Sequence, residues 1–277
     1  MASKKAFDIS SHLGIILAFG CVLGTLMIEG GSPAELANRP AAVLVLGGSV
    51  ALAFFCSPME MVASIPRVFI IAFFGATPNI KKTLDELLGY AQDARREGLL
   101  KLEEAIPAAG SEFMRKGLQL VVDGTPPDKL QEMLEIEIDQ TKQRHKAMAG
   151  IFEALGGFGP TLGIIGTVMG LVNVLGSLGG TDPAKLGESI ATAFIATLYG
   201  VMIANLLWLP LANKLKAKDR LEAVENELVM EALLSIMHGD NPAIVKEKLT
   251  AYLGVGQRQD KKGRADAGVT AASSAPR

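Results

Sequence analysis

Four long runs of uncharged, mostly apolar residues divide the chain. About 17–25 apolar helical residues cross the ~30 Å hydrocarbon core of a bilayer. The runs contain 16, 20, 28 and 25 residues, at 13–28, 40–59, 154–181 and 189–213. The last two are long enough by themselves, whereas the first two need flanking residues or a locally thinner bilayer. The pattern predicts four transmembrane helices, near 12–29, 40–58, 155–178 and 189–211.

The first run is expected to remain in the mature protein as a helix. Lys4 and Lys5 precede it, as they would in a signal peptide. However, no clear cleavage site between small residues follows, and a second apolar run comes at once.

The polar segments between and after these runs show helical periodicity. Leucines recur at helical spacing in 81–106, and Pro107 is expected to end that helix. A second helix is expected over 111–124, with Ser111 as its N-cap and Gly124 as its stop. Strand patterns are nearly absent. The predicted fold class is all-α, a four-transmembrane-helix integral membrane protein with long helices that extend into a cytoplasmic helical region.

Two further segments connect the spans to this polar region. Residues 57–78, interrupted by Pro66 and Arg67, either lie along the membrane surface or extend the second span inward. The fourth span is expected to continue as one long helix that ends at Gly239.

The predicted organisation has five consecutive parts. The membrane parts are the transmembrane hairpins 1–58 and 154–213. The polar parts are a cytoplasmic helical domain 59–153, a cytoplasmic helical extension 214–255 and a Gly/Ala/Ser-rich tail 256–277 that is expected to be disordered.

The distribution of basic residues predicts the orientation. Of the 27 Lys and Arg residues, only Arg39 and Lys185 fall in the two short connections between paired spans. The other 25 fall on the opposite side, which the positive-inside rule makes cytoplasmic. Both termini are therefore expected inside, in a multi-pass protein of the cytoplasmic (inner) membrane.

The composition and the short motifs limit which classes of function the chain can have. Only 20% of the residues are charged and the net charge is −2, which argues against a nucleic-acid binder. Two cysteines in apolar runs and three scattered histidines form no disulfide framework and no metal motif. The chain has no phosphate-binding loop, no zinc-protease motif and no credible nucleophile–base pair, so an enzyme has little support and no cofactor is expected.

Apart from His12 and Glu29 at the two ends of the first, the predicted spans contain no Asp, Glu, Lys, Arg or His. Proteins that move ions through their own helices usually place an ionisable residue there. Either this chain is not an ion conductor, or a partner supplies the carboxylate.

Small and hydroxyl residues recur in the third and fourth spans. A stripe of glycines at spacings of three or four consists of Gly159, Gly163, Gly166 and Gly170. Such stripes let helix backbones approach closely. Thr167 lies beside the stripe, and Thr197 lies in the fourth span. These residues either pack two helices of one chain, with the hydroxyls bonded to their own backbone, or face another helix or an ion path.

Prolines and a charged strip are the remaining candidates. Pro160 and Pro210 each remove a backbone hydrogen bond and can kink their helices. Arg96 and Glu103 are seven residues apart and would share one face of a continuous helix. That face is either simply solvated or an electrostatic docking strip for a charged protein partner.

Three segments together resemble the MotA/PomA flagellar stator proteins, which belong with ExbB and TolQ in one superfamily of ion-driven motor proteins. They are FGPTLGIIGTVMGLVNVL (158–175), DPAKLGESIATAFIATLYGVMIANLLWLP (182–210) and RREGLLKLEEAI (95–106). The resemblance covers most of 7–250. The two-hairpin topology, the long loop and the RREGLLKLE strip favour the flagellar branch.

The resemblance implies a stator subunit that couples H⁺ or Na⁺ influx to torque on the rotor. Five such subunits would surround two copies of a single-span MotB/PomB-like partner, which carries the ion-binding Asp. The rotor protein FliG would be engaged by Arg95, Arg96, Glu103 and Glu104. Pro160 and Pro210 match prolines linked to conformational change, and Thr167 and Thr197 match the hydroxyl positions beside the partner's Asp.

Two alternatives stay open on the sequence. One is an ExbB/TolQ-like energiser of outer-membrane transport or envelope processes, which would lack a peptidoglycan-binding partner. The other is a membrane scaffold without ion flux. The sequence does not decide between H⁺ and Na⁺.

Overall fold

The computed structural model describes residues 8–75, 77–176 and 183–253, with side chains described from residue 186 onward in the last range. The predicted tail and the tip of the second hairpin lie outside these residues. Within them the chain is helical and contains no strand, which confirms the all-α prediction.

Eight helices account for most of the described chain. They are α1 Ile9–Ile28, α2 Arg39–Cys56, α3 Met59–Phe74, α4 Ile80–Glu97, α5 Glu112–Val122, α6 Pro127–Gly176, α7 and α8 Pro242–Thr250. Helix α7 consists of Pro183–Ile203, a π-helical segment Ala204–Trp208 and Leu209–Met237. Short 3₁₀ segments occupy Pro33–Leu36 and Leu99–Ala108, and a π-helical turn lies at Val43–Gly47 within α2.

Four of these helices, α1, α2, α6 and α7, are long and apolar enough to cross a membrane. This agrees with the four predicted spans. Every residue of α1 is at least partly exposed, and large apolar side chains such as Val43, Phe55 and Val172 are mostly exposed. An apolar surface of this extent is typical of a protein that meets lipid or other membrane helices.

Local sequence signals set several helix ends as predicted. The Ser111 hydroxyl accepts a hydrogen bond from the Met114 backbone N–H at 3.1 Å, which caps α5. Gly124 and Gly239 have φ of +74° and +71°, and each terminates a helix in a backbone region that favours glycine.

The predicted continuous helix over 81–106 is wrong. Helix α4 ends at Glu97 because Gly98 adopts φ +89° and ψ +167°, a conformation open almost only to glycine. The chain resumes as the 3₁₀ segment Leu99–Ala108, so Arg96 and Glu103 do not share the face of one α-helix. Leucine periodicity concealed the break, since Leu102 is still buried beyond it.

Residues 57–78 contain a separate helix. Ser57 is extended, with φ −132° and ψ 147°, and this ends α2 before α3 begins. Helix α3 continues through Pro66, so the predicted interruption at that proline is wrong.

The chain divides into two compact units. The first contains residues up to 76 and 143–218, and the second contains 77–142 and the chain from 219 onward. Phe152 and Leu155 centre a small core in the first unit. The second unit has a larger core, built around buried leucines of α4 to α8 such as Leu84, Leu118 and Leu233.

Two lysines of α7 make polar contacts with the ends of α1 and α3 in the first unit. Lys214 donates a hydrogen bond to the carboxylate of Asp8, the N-cap of α1, and this bond, with a second from Ser10, holds the pKa of that carboxyl well below its usual range. Lys218 donates to the carbonyl oxygens of Ile71 and Gly75, both at 2.8 Å, at the C-terminal end of α3. A cation there is favourable because these carbonyls carry the negative end of the helix dipole.

Candidate functional site

Two threonine hydroxyls meet between α6 and α7. The Oγ1 atoms of Thr167 and Thr197 are 2.5 Å apart, and both side chains are partly buried. Thr167 Oγ1 also lies 3.1 Å from the carbonyl oxygen of Ala193 and 3.2 Å from that of Gly163. Thr197 Oγ1 lies 3.4 Å from the same Gly163 oxygen.

This arrangement concentrates oxygen atoms at one point. Each hydroxyl has one proton, and both protons have acceptors within the group. The remaining lone pairs of Thr167 and Thr197 can accept a hydrogen bond from a hydronium ion or coordinate a small cation. The alternative in which each hydroxyl bonds only its own helix does not hold for Thr167, which reaches both helices.

Close backbone contact brings the hydroxyls together. A Cβ atom on Gly163 would lie 2.9 Å from the carbonyl oxygen of Ala196 and 3.0 Å from the Cα of Thr197. Real Cβ atoms rarely approach so closely, so only glycine permits this separation of α6 and α7. The position of Thr167 beside Thr197 therefore depends on Gly163.

The rest of the glycine stripe also faces α7 of the same chain. A Cβ on Gly159 would lie 2.8 Å from the carbonyl oxygen of Gly200. Cβ atoms on Gly166 and Gly170 would lie 2.6 Å and 2.5 Å from the Cβ atoms of Ala196 and Ala193. Gly200 was not among the predicted site residues, although its four-residue spacing from Ala196 and Ala204 is the signal that marks it.

The two prolines lie in different backbone settings. Pro160 lies inside α6, which continues through it as a regular α-helix. Pro210 lies two residues after the π-helical segment Ala204–Trp208. Because a proline lacks the N–H that would bond the preceding turn, the hydrogen bonding of α7 is irregular at this point.

No Asp, Glu, Lys, Arg or His lies between residues 154 and 176 of α6 or between 189 and 213 of α7. The threonine pair can thus offer neutral oxygen ligands, but it has no neighbouring negative charge in these stretches. A cation held there without a counter-charge would be strongly disfavoured in an apolar medium.

The charged strip lies in the second unit, on both sides of Gly98. Arg95 and Arg96 occupy the last turn of α4, while Glu103 and Glu104 belong to the 3₁₀ segment, and all four are exposed. Buried Leu102 anchors the segment in the core of the unit.

The four strip residues differ in their ion pairing. Lys101 Nζ lies 3.1 Å from carboxylate oxygens of both Glu97 and Glu104, and these contacts raise the pKa of Lys101. Glu104 is therefore partly neutralised within the chain. Among the described residues, no ion pair engages Arg95, Arg96 or Glu103.

A cavity of about 650 Å³ lies between α2, α6 and α7. Its polar lining includes Asn173, Glu188 and Thr192, together with Asn38 from the N-cap of α2. The Asn38 side-chain amide donates to the Thr192 carbonyl oxygen at 3.3 Å. No motif in the sequence marks Glu188, which lies just before the fourth charge-free run.

Comparison with known proteins gives a consistent result. Residues 106–260 match the MotA/TolQ/ExbB proton channel family, and residues 12–98 match the motility protein A N-terminal family. Motility protein A of Bacillus subtilis is 36% identical over 250 residues, covering 89% of this chain and 91% of the relative. The chemotaxis protein PomA of Vibrio alginolyticus is 32% identical over 251 residues, covering 91% and 97%.

Two solved structures resemble the fold closely. The C. jejuni MotAB structure has a TM-score of 0.86 at 28% identity and covers 90% of this chain and 97% of that chain. The flagellar MotAB stator complex from Bacillus subtilis has a TM-score of 0.85 at 33% identity and covers 91% and 98%.

The chain therefore belongs to the MotA/TolQ/ExbB proton channel family. Within that family its curated relatives are motility proteins, matched over nearly their whole length. These matches support the function of a multi-pass membrane subunit of a flagellar stator.

Proposed function

We propose that this chain is the stator subunit that, together with a single-span partner of the MotB/PomB type, couples influx of H⁺ or Na⁺ to rotation of the flagellum. The observation that carries the proposal is that the threonine pair lies between residues 154–176 of α6 and 189–213 of α7, two stretches without Asp, Glu, Lys, Arg or His. Such a site can receive a cation only if another polypeptide contributes the compensating carboxylate.

The surfaces of α6 and α7 suit a membrane partner. Large apolar side chains stay exposed on both helices, including Ile164, Val168 and Phe194. In the proposed assembly, five copies of this chain surround two partner helices. Five identical sites around two carboxylates cannot all be occupied equivalently, so successive binding and release of the cation would favour stepwise rotation of the ring.

The charged strip is the proposed contact with the rotor protein FliG. Arg95, Arg96 and Glu103 combine high exposure with unpaired charge, which suits electrostatic recognition of a protein partner. The same assignment places the second unit in the cytoplasm, both termini inside and the spans in the inner membrane. We assign the chain a channel role and no catalytic one, with the transported cation as its only ligand.

Complementation tests the proposal. In a flagellated host that lacks its own stator subunits, this chain and its partner should together restore rotation. The chain alone, or the chain with a partner whose membrane Asp is replaced by Asn, should not. Failure of the intact pair to restore rotation, with both proteins present in the membrane, would contradict the proposed function.

Charge reversal tests the docking strip. Arg95→Glu or Glu103→Lys should each reduce swimming speed to below about half, since reversing one rim charge mainly slows association and adds repulsion. Glu132→Lys is the matched control, because Glu132 is an exposed acid paired with Lys129 outside the strip. Full motility of both strip variants, with normal membrane levels, would remove the docking assignment.

A further inference from the structure

The cavity between α2, α6 and α7 presents an acidic and hydroxyl-bearing wall. Glu188 and Thr192 are four residues apart on α7, so they lie on the same side of the helix, and both line the cavity. Asn173 lies on the α6 side. A carboxylate, a hydroxyl and an amide oxygen are thus present around one space.

This space lies close to the threonine pair. Ala193 and Ala196 line the cavity, as does Gly166. The Ala193 carbonyl oxygen lies 3.1 Å from Thr167 Oγ1, so the cavity and the hydroxyl pair are separated by a single layer of small residues.

The wall of the cavity is held in place by the segment before α2. The Asn38 amide donates to the Thr192 carbonyl, and the Tyr199 hydroxyl donates to the Leu36 carbonyl oxygen at 2.6 Å. These two hydrogen bonds connect the N-terminal end of α2 to α7 and hold the backbone of Thr192 against Asn38.

The described lining of the cavity carries only negative charge. Glu188 is the only charged residue among the described residues that line the cavity, and its side chain is exposed. A negative charge beside low-dielectric helices raises the local concentration of cations. The volume of about 650 Å³ holds a cation with its inner hydration shell, since one water occupies about 30 Å³ in the liquid.

We propose that Glu188, with Asn173 and Thr192, forms an outer binding site for a hydrated monovalent cation. The cation passes from this site to Thr167 and Thr197. The inference rests on the proposed function and adds to it the group that captures the ion. Oxygen ligands of this kind suit both Na⁺ and hydronium, and the experiment separates the two.

A purely structural role for Glu188 makes a different prediction. An acidic residue near the N-terminal end of a helix interacts favourably with the helix dipole. In that role, replacement of Glu188 would lower the stability or amount of the protein but leave its cation dependence unchanged.

The test is rotation of low-load beads by the full stator with its partner, in cells without other stator subunits. Speed is measured against Na⁺ at fixed pH, and against pH at fixed Na⁺. Glu188→Gln should raise the half-saturating concentration of the coupling cation about threefold to tenfold, as expected for the loss of one focusing charge. The maximal speed at saturation should not change. The coupling cation is Na⁺ if the half-saturating concentration changes in the Na⁺ series, and H⁺ if it changes in the pH series.

Two variants control this result. Glu188→Asp keeps the charge and should behave like the parent. Glu29→Gln removes an acid from the connection between α1 and α2, outside the cavity lining, and should also leave the half-saturating concentration unchanged. A Glu188→Gln stator that rotates with the parent's half-saturating concentration in both series would overturn the proposal while leaving the stator function intact.

A second measurement does not depend on the Glu188→Gln variant. Added choline chloride screens the field of Glu188 and should raise the parent's half-saturating concentration. This measurement decides the question if Glu188→Gln fails to assemble. Absence of the salt effect in the parent would then overturn the proposal. A salt effect in the parent, together with the parent's half-saturating concentration in Glu29→Gln, would support it. Loss of rotation by the parent pair itself would instead contradict the proposed function.

Discussion

At the scale of single residues, the contact between Thr167 and Thr197 is the most informative feature of the membrane unit. Its oxygens converge from two helices, and Thr167 bonds across the helix pair as well as along its own helix. A hydroxyl with purely local bonding, such as that of Thr161 with the Phe158 carbonyl at 2.8 Å, lacks this convergence. The comparison distinguishes a candidate ligand from an ordinary helical threonine.

Removal of the Thr167 hydroxyl should weaken cation binding. Thr167→Ala should raise the half-saturating cation concentration for rotation about fivefold, the equivalent of one lost hydrogen bond or ligand contact. Thr167→Ser restores the oxygen and should remain near the parent, and Thr161→Ala should have no effect. An unchanged response of Thr167→Ala would argue that the hydroxyl only packs the helices.

A residue-scale prediction for the second unit concerns Glu225. This carboxylate accepts a hydrogen bond from Thr83 Oγ1 at 2.5 Å, and burial raises its pKa, with smaller contributions from Glu222 and Glu86. Because the folded-state pKa exceeds the unfolded value, the ionised carboxylate destabilises the fold at neutral pH. As the pH falls through the raised pKa, protonation of Glu225 removes this destabilisation of the folded state.

Glu225→Gln should therefore raise the unfolding temperature of the purified protein at pH 7 by roughly 2–4 °C, which corresponds to about 1 kcal/mol in a chain of this size. The difference from the parent should shrink as the pH approaches about 4.5. Thermal unfolding followed by circular dichroism measures it. Glu132→Gln, an exposed control, should shift little, and a lower unfolding temperature for Glu225→Gln at pH 7 would refute the argument.

At the scale of helices, the separation of α6 and α7 depends on glycines that permit contact with backbone atoms. Gly163→Ala should force the two helices apart, since its Cβ would meet the Ala196 carbonyl and the Thr197 Cα at about 3 Å. Overpacking of this kind typically destabilises by about 1–3 kcal/mol. Gly157→Ala is the matched control, because nothing lies within 4 Å of its Cβ position.

The measurement is the unfolding temperature of the two variants, together with the rotation that each supports. Gly163→Ala should lower both, whereas Gly157→Ala should lower neither. Equal behaviour of the two variants would mean that the close contact at Gly163 has no energetic importance.

The sequence predicted where helices occur more reliably than where they break. Charge-free runs predicted the four spans because hydropathy and length together determine them. Capping residues predicted the ends at Ser111 and Gly124 because these signals are local. The break at Gly98 was missed because the apolar spacing persists across it, although a glycine after Arg95 and Arg96 is itself a signal for a helix end.

The candidate site was predictable in part for a similar reason. Sequence motifs identified Thr167 and Thr197 individually, but their 2.5 Å contact depends on how α6 packs against α7. Glu188 was missed because its proposed role depends on a cavity whose wall includes Asn38, about 150 residues earlier in the chain. The π-helical segment beside Pro210 likewise leaves no clear pattern in the amino-acid sequence.

At the scale of the whole molecule, the chain combines a membrane unit with a polar helical unit, and each contains one candidate site. The threonine pair lies in the first unit and the charged strip in the second. Similarity to motility proteins extends over about nine-tenths of the chain and therefore includes both units. In the proposed function, the first unit passes the cation and the second contacts the rotor.

In the proposed function, these membrane helices do not pass the coupling cation by themselves, because the carboxylate that holds it at the threonine pair belongs to a partner polypeptide. The most direct test is cation uptake by sealed vesicles that contain the purified chain alone, with an added ionophore to show that the assay responds. We expect uptake no greater than in vesicles without protein, in both Na⁺ and pH gradients. Rapid cation uptake by the chain alone would contradict it.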